Sequence, residues 1–501
     1  METKKIEEQE KEILDFWSSN KIYEKRKKKN KRGKKFYLPD GPPYATGNIH
    51  LGTALNKISK DIIMRYKRLR GFDVFDRPGY DTHGVPIEFK VEKEIGSKCR
   101  EDIEKFGIKN FVERCKEFAT KYINVMNSEF INLGVWMNWE NPYITLTDEY
   151  IEKIWETFKF ADSKNLLYLG RYPVHVCPRC STAVAFNEIE YVKQDDNSIY
   201  VKFPLIEKEN TFLIIWTTTP WTLPANTGVM VHPDYLYQEI ELSSGERWII
   251  AKELVPKIMT LLEKGYTVKS EFFGREIKGL KYSNPLSKYL NLKLLNSYRV
   301  VLSARYVNLE EGTGLVHCAP GHGKEDYEVG KEEGLEILSP VNMEGFLTEE
   351  AGKYAGKRAR EVDNEIIEDL EKDGFLILKQ KYNHDYPVCW RCKTPLLMIS
   401  IPQWFFKISE FREALLKYNE EVYWTPSWAK LRMKAWLESL SDWPVSRRRY
   451  WGTPLPIWIC DKCQERKVVG SKKELESLSS KKLTSLHKPE IDEIEWNCKC
   501  G

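Results

Sequence analysis

Eight of the chain's eleven cysteines fall in four close pairs: Cys177/Cys180, Cys389/Cys392, Cys460/Cys463 and Cys498/Cys500. Thiolates so spaced are ligands for a tetrahedral metal, and two pairs complete one structural zinc site, so four pairs imply two ions. The expected partners are 177/180 with 389/392, and 460/463 with 498/500. A redox dithiol is the competing reading for any single pair. Four pairs, set beside turn-forming or aromatic residues such as Pro178, Trp390 and Asp461, favour metal. Cys99, Cys115 and Cys318 stand alone and read as core or incidental thiols. A second centre is the loop Gly41-Pro42-Pro43-Tyr44-Ala45-Thr46-Gly47-Asn48-Ile49-His50-Leu51-Gly52-Thr53. It runs into a helical pattern, and a helix N-terminus offers unpaired N–H groups and a positive dipole end that favour phosphate. Gly47 and Gly52 permit close approach of a ligand, and His50 can donate to phosphate oxygens. A His-x-Gly triplet by itself is no signal, and for it alone a satisfied structural histidine is the better reading.

The elements that must hold these groups follow from pattern. Ile6, Ile13, Leu14 and Trp17 lie at helical spacing in a charged N-terminal helix. Lys25–Lys35 carries nine Lys or Arg in eleven positions, which reads either as a solvated loop or as a contact to a phosphate backbone. Phe36–Pro39 reads as a short buried strand. From Thr53, the residues Leu55, Ile58, Ile62, Tyr66 and Leu69 share one helix face, and Gly71 stops the helix. Phe72–Phe75 is the next strand. Strand, glycine-bearing loop, helix and strand open a parallel α/β unit. Long helical patterns occupy residues 100–165. Six short strands are then expected, at Ser198–Phe203, Thr211–Thr217, Gly228–His232, Tyr237–Leu242, Arg247–Ala251 and Arg299–Tyr306. They make a β-rich insertion bracketed by the first two cysteine pairs.

The string Pro-Pro-Tyr-Ala-x-Gly-x-Ile-His-Leu-Gly at 42–52 resembles the nucleotide-binding signature of class I aminoacyl-tRNA synthetases. Pro78-Gly79-Tyr80-Asp81-Thr82-His83-Gly84-Val85-Pro86-Ile87-Glu88 resembles the isoleucyl branch in particular; valyl enzymes usually read Asp-His-Ala-Gly there. Asp442–Pro454 resembles the segment that re-enters the nucleotide fold. Trp216–Thr227 and Gly312–His317, followed by Gly321-His322-Gly323 and Asp326, resemble the two peptides of the family's editing domain. The resemblance spans nearly all of the chain.

It implies a set of roles. Tyr44, Gly47, His50, Gly52 and Thr53 would bind ATP with Mg²⁺. Pro42 and Trp451 would wall an aliphatic pocket, and Asp81 would hold the substrate ammonium, as suits a carboxylate. Thr217, Thr218, Thr219 and Asn226 would orient a water and the terminal ribose of tRNA. Asp326 would hold the ammonium of a wrong amino acid, while His317 crowds its side chain. Taken singly, Asp81 reads as a turn residue, Trp451 as a core aromatic and the threonine run as a plain strand; the ordered set argues otherwise.

The implied architecture is an α/β, Rossmann-type parallel nucleotide fold interrupted by a β-rich editing domain, with zinc-ribbon-like elements. Its expected boundaries are 1–172 (N-terminal helix and first half of the catalytic domain), 173–195 with 384–396 (zinc-bound base), 196–383 (editing), 397–459 (re-entry) and 460–501 (second zinc element). The implied function is ligation of isoleucine to tRNA(Ile), with hydrolysis of mischarged valyl-tRNA(Ile).

Two departures stand out. Thr53 occupies the place of the signature's usual second histidine, so a hydroxyl replaces one imidazole there. The family's Lys-Met-Ser-Lys-Ser loop is not found past the re-entry segment. Lys57-Ile58-Ser59-Lys60 has similar letters but lies directly behind His50, and Lys57 and Lys60 read as helix surface. The sequence is thus expected to be an N-terminal portion or one half of a split enzyme, whose separate C-terminal half would be a partner.

Composition bounds the alternatives. With 78 basic and 74 acidic residues the net charge is only +4, so tRNA must be steered by local patches such as Lys25–Lys35. Sixteen Trp, 26 Tyr and 21 Phe exclude a disordered chain. No apolar run reaches the roughly 18 residues of a spanning helix, and Met1–Glu8 lacks a signal-peptide core, so a cytoplasmic monomer is expected. The competing functions are a valyl-type synthetase, a free-standing deacylase of mischarged tRNA, and a zinc-organised RNA-binding module without catalysis.

Overall fold

A computed structural model describes residues 5–97, 100–185 and 188–501, so Cys99 lies outside the described residues. The chain divides into two compact units, residues 1–167 with 449–501, and residues 168–448.

In the first unit, helices α1 (Ile6–Ser19) and α2 (Ile22–Asn30) precede strand β1 (Lys35–Tyr37). The basic stretch is therefore largely helix and not the loop expected. Two of its cations are used internally: Arg26 donates to the Arg68 carbonyl, and Lys27 pairs with Asp76 at 3.2 Å. A loop follows, then α3 (Leu51–Leu69) and β2 (Asp73–Phe75), which pairs parallel with β1 in the register Phe36 to Val74. Gly71, with φ of +86°, ends the helix as expected. The short strands β3 (Gly79–Tyr80) and β4 (Tyr143–Ile144) also pair in parallel. Helices α4 (Val85–Ile95), α5 (Arg100–Phe106), α6 (Ile108–Asn132) and α7 (Asp148–Ser163) surround them. Cys115 is buried in the core between α4 and α6, as a core thiol should be.

The orientation of α3 reverses the expectation. Its apolar stripe faces outward, with Leu55 68% and Ile62 63% exposed, while Lys57, Asp61, Met64 and Arg68 are buried. Lys57 and Lys60 are correspondingly not surface residues. Lys57 is 1% exposed and pairs with the fully buried Asp40 carboxylate, which Lys60 also reaches at 2.7 Å. Burial lowers the Lys57 pKa, and Asp40 pulls it back up. Asp61 accepts from Trp136 N at 3.0 Å, and Arg68 pairs with Asp76. Specific ion pairs thus decide which face turns inward, against hydrophobic periodicity.

The second unit is built on a mixed sheet. Strands β5 (Leu167–Cys177) and β6 (Thr182–Ala183) lead into β7 (Ile189–Pro204), β8 (Thr211–Thr217), β9 (Gly228–Val231), β10 (Leu236–Leu242) and β11 (Arg247–Ala251). Helix α8 (Val255–Leu261), β12 (Tyr266–Phe273), β13 (Arg299–Leu302), β14 (Leu315–Cys318), α9 (Lys324–Glu333), α10 (Asp363–Lys372) and β15 (Leu376–Cys389) follow. All six expected strands are present, the last ending early at Leu302. The main sheet runs β12-β10-β11-β8-β14-β9-β13, with β7 and β15 as a long antiparallel arm joined at β8. Its inner face carries Ile199, Val201, Leu213, Ile215, Val229 and Ile249, all fully buried, and Cys318 is buried in an adjoining cluster. A smaller sheet, β17-β16-β5-β6, uses β16 (Leu397–Phe406) and β17 (Trp443–Pro444), with α11 (Arg412–Glu421) and α12 (Trp428–Glu438) between them. The chain returns to the first unit at Arg449, where β18 (Ile457–Ile459), β19 (Arg466–Val468) and α13 (Lys472–Ser479) complete it. Among the described residues, no helix is long and apolar enough to cross a membrane.

Replacing Asp40 with Ala leaves one ammonium buried and another half-buried without a counter-charge. It is expected to cost about 3–5 kcal/mol, whereas Leu55→Ala on the exposed stripe should change stability by less than about 0.5 kcal/mol. Urea unfolding followed by hydrogen exchange at the α3 amides checks both.

Candidate functional site

The loop before α3 is held from both ends. Tyr44 and Asp81 form a parallel bridge, with Ala45 N donating to Asp81 O at 3.0 Å and Asp81 N to Pro43 O at 2.9 Å. Glu129 of α6 accepts from Ile49 N at 2.8 Å and from the Asn48 amide. His50 is the N-cap of α3, its Nδ1 accepting from Thr53 N at 3.3 Å. That places the ring proton on Nε2, which lies 3.0 Å from the Thr53 hydroxyl. The His50 N–H is therefore donated to the Thr53 hydroxyl, whose own O–H is the donor left at the helix start. Gly52 gives the ring room: a Cβ there would sit 3.1 Å from the imidazole. A Cβ on Gly47 would meet nothing within 4 Å.

Asp81 lies behind this loop. Burial raises its pKa, against hydrogen bonds from His83 N, Thr145 and Tyr44, and no cation pairs with it among the described residues. Its neighbour Thr82 accepts from the Trp451 indole at 2.6 Å, and Gly84 N donates to Trp451 O at 3.0 Å. Pro42 stands one residue before the Pro43 carbonyl that Asp81 N reaches. The structure thus assembles Tyr44, Asp81 and Trp451 from segments far apart in sequence.

Two positioning groups were not singled out from sequence. Glu88 accepts from Tyr450 N and Trp451 N at 2.9 and 2.8 Å and pairs with Arg449, locking the returning segment. An acidic residue between the buried Ile87 and Val91 was the available signal. His487 stacks on Trp451 at 4.7 Å and lies 2.9 Å from His83. Both imidazoles are held neutral by burial, His83 near 3 and His487 near 4. Nothing in the pattern around His487 pointed there.

In the second unit, a cleft of about 410 Å³ opens at the ends of β8 and β14. Thr217, Thr218, Thr219, Thr222, His317 and Asp326 all line it. Asn226 is fully buried behind them. A directional relay fixes the wall: Tyr282 donates to Asn226 Oδ1 at 2.6 Å, Asn226 Nδ2 to His317 Nδ1 at 2.8 Å, and His317 Nε2 to Thr222 Oγ1 at 3.0 Å. Thr222 in turn donates to Thr219 O at 2.8 Å. Both His317 nitrogens are thereby used. Burial keeps it neutral, with its pKa near 3. Thr222 and Tyr282 are relay members that sequence reasoning did not assign; Thr222 lies inside the recognised threonine string.

Asp326 sits in the first turn of α9 and accepts from Ala319 N at 3.1 Å. Gly323 lets its carboxylate approach the backbone, since a Cβ there would lie 2.7 Å from Oδ2. Burial raises Asp326 to about 7, and among the described residues no cation pairs with it.

The cysteines gather as expected. Cys177, Cys180, Cys389 and Cys392 form one group in the second unit, and Cys460, Cys463, Cys498 and Cys500 another in the first. Neighbouring sulfurs lie 3.4 Å (177–392), 3.8 Å (180–392), 3.4 Å (460–500) and 3.7 Å (463–498) apart. Tetrahedral zinc with Zn–S near 2.3 Å requires sulfurs about 3.8 Å apart, so both sets fit the ion. In each Cys-x-x-Cys turn the following residue is left-handed: Ser181 at φ +47°, Lys393 at +59° and Gln464 at +60°. Amide donation from Cys180 N to Cys177 Sγ (3.4 Å) and from Cys463 N to Cys460 Sγ (3.5 Å) suits thiolate acceptors.

Comparison with known proteins bears on this arrangement. The family described as tRNA synthetases class I (I, L, M and V) matches residues 12–498. The chain belongs to this family. An isoleucine–tRNA ligase of Methanocaldococcus jannaschii is 46% identical over 514 residues, covering 99% of this chain and 49% of the relative. One from Pyrococcus abyssi is 48% identical over 489 residues, covering 95% and 45%. The chain spans about half the length of the curated relatives it matches. Among solved structures, the Agrobacterium radiobacter K84 LeuRS in its ternary complex with tRNA and LeuAMS aligns with 92% of this chain and 52% of its own, at 17% identity and a TM-score of 0.36.

Metal analysis of the purified chain is expected to return close to two zinc ions. Cys392→Ser and Cys460→Ser should each remove one, and the double variant both; an unchanged content in either single variant counts against that group as a site.

Proposed function

We propose that this chain supplies the isoleucine-activating and editing parts of an isoleucine–tRNA ligase. The observation that carries the reading is a pair of carboxylates, one in each unit, with which no cation pairs among the described residues. Asp81 lies beside Trp451, and Asp326 lies beside His317 and the threonine loop. A buried carboxylate of this kind suits an α-ammonium. Two of them suit an enzyme that meets the amino acid twice, first free and then esterified to tRNA(Ile).

In the first unit, read as the opening of a Rossmann-type fold, Tyr44, Gly47, His50, Gly52 and Thr53 receive ATP at the start of α3. Mg²⁺ accompanies the phosphates. Isoleucine, held by Asp81 between Pro42 and Trp451, attacks the α-phosphorus through its carboxylate, and pyrophosphate leaves. The chain's own residues serve by positioning and by stabilising charge. Isoleucine and valine differ by one methylene, worth about 1–3 kcal/mol in an apolar pocket, a figure for which this family is itself the reference case. A second pocket supplies the remaining discrimination. There Asp326 holds the ammonium of valine, the immobilised His317 ring excludes a longer side chain, and Thr217–Thr219 orient the ribose and the water. Water adds to the ester carbonyl, and the ribose oxygen leaves with a proton. The domain scheme, with editing at 196–383 and zinc-bound elements at 173–195 with 384–396 and at 460–501, belongs to this reading.

Hydrolysis of valyl-tRNA(Ile), with isoleucyl-tRNA(Ile) as control, tests it. Selective loss of valine is expected, reduced by roughly 30-fold or more in Asp326→Ala, which corresponds to about 2 kcal/mol for a truncated charge pair. Equal hydrolysis of both esters, or an unaffected variant, would sink the assignment.

The acid limb carries a second expectation. Without ligand Asp326 titrates near 7, so the carboxylate that binds an ammonium is the minority form below that pH. The kcat/KM of deacylation should rise about tenfold per pH unit up to pH 7 and then flatten. A profile flat from pH 5 upward would remove Asp326 from substrate binding.

A further inference from the structure

The segment that follows the second return to the first unit brings one imidazole onto Trp451. The indole is fully buried and belongs to a cluster with Ile87, Val91 and Phe111, so its plane is set by the groups packed on it. His487 lies over the indole, the ring centroids 4.7 Å apart and the planes 14° from parallel. His83 meets the same indole edge-on at 4.9 Å, and the indole N–H is donated to Thr82 O at 2.6 Å. Trp451 is thereby held on a face, at an edge and at its one polar atom.

His487 is itself held at both ring nitrogens. Its Nδ1 lies 2.9 Å from the Ser485 hydroxyl and its Nε2 2.9 Å from His83 Nε2. His83 Nδ1 in turn lies 3.3 Å from the Thr453 hydroxyl. Hydroxyls close both ends of this four-member chain, so each neutral ring can be satisfied at both nitrogens. The backbone is tied down beside it: Leu486 N donates to Asp148 at 3.3 Å, and Leu486 is buried with Ile151 and Trp155. From His83 the chain reaches the carboxylate, since His83 N donates to Asp81 Oδ1 at 3.4 Å.

We propose that His487 is a positioning residue of the amino-acid site, acting on Trp451 by stacking and on Asp81 through His83. The inference rests on the reading of Asp81 and Trp451 given above. Its two contacts have different consequences. Stacking fixes the apolar wall, which an aliphatic side chain senses, and so bears on the preference for isoleucine over valine. The hydrogen bond to His83 bears on the hold of Asp81 on the ammonium, which both amino acids share. A histidine that only fills space would produce no such division.

Two substitutions separate the contacts. His487→Phe keeps a ring over the indole but cannot bond to His83, whereas His487→Gln keeps a donor and acceptor but cannot stack. Calorimetric binding of isoleucine and of valine to this chain is the readout, with circular dichroism and zinc content confirming that each variant is folded. His487→Phe is expected to weaken both amino acids alike, by about 5–10-fold, as for one lost hydrogen bond. His487→Gln is expected to weaken isoleucine more than valine, narrowing the preference by about 3–10-fold, as for one lost aromatic pair. Should the Phe variant fail to fold, Thr453→Val unties the far end of the chain instead and should weaken both amino acids by a smaller common factor. Variants that match the wild type, or that all shift both amino acids by a common factor, overturn the inference and leave the reading of the site intact. A wild-type chain that binds neither amino acid overturns that reading, and the inference with it.

Discussion

The Asp40 carboxylate holds the first unit together at the point where its chemistry must be placed. It is fully buried, accepts from Lys57 and Lys60 on α3, and takes the Gly79 amide at 3.0 Å. Three segments therefore meet on one side chain: the exit of β1, the body of α3 and the start of β3. The loop carrying Pro42, Tyr44 and His50 is strung between the first two, and Asp81 lies two residues past the third. A buried charge with two ammonium partners and an amide resists displacement, because moving any one segment strands the others' charges in a poor dielectric. The geometry of the loop at residues 41–50 relative to Asp81 follows from this clamp.

The second unit solves a similar problem with neutral groups. Its threonine loop and its histidine come from strands about a hundred residues apart, yet Tyr282, Asn226, His317, Thr222 and the Thr219 carbonyl form one relay, with the Asn226 amide also donating to Gly228 O. A fully satisfied network of this kind fixes both the tautomer and the ring plane of His317. The result is an imidazole that is held neutral and fixed in orientation. Among the described residues no cation pairs with Asp326, which lines this cleft.

The cysteine groups play a third role. The first joins the β5 end near Cys177 to the β15 end near Cys389, residues more than two hundred positions apart, and so ties the insertion at its base. The second gathers the region after Arg449, where His487 stacks on Trp451. The first packs with Leu396, Val184, Ile189 and Trp390, and the segment carrying the second also buries Val469, Leu475, Leu486 and Ile491.

Much of the chemistry could be read from the linear order of residues. The four cysteine pairs, the loop at His50, the threonine string and the six strands of the insertion each depend on local spacing, and local spacing is what turns, strands and metal knuckles require. The stripe on α3 was legible as a stripe, and so was its helix. Which side of that helix faces inward was not, because the periodicity of Leu55, Ile62 and Leu69 promises burial only where something lies opposite to bury it. Tertiary structure decided that Asp40, Asp76 and Trp136 stand on the other side, turning Lys57 from a surface lysine into a buried one. It likewise brought His487 onto Trp451 and Tyr282 behind His317, pairings that span long stretches of chain and leave no trace in spacing. Sequence determined which groups are present and how each segment folds; only the packing of distant segments decided which charges are buried, and so which sites are held rigid.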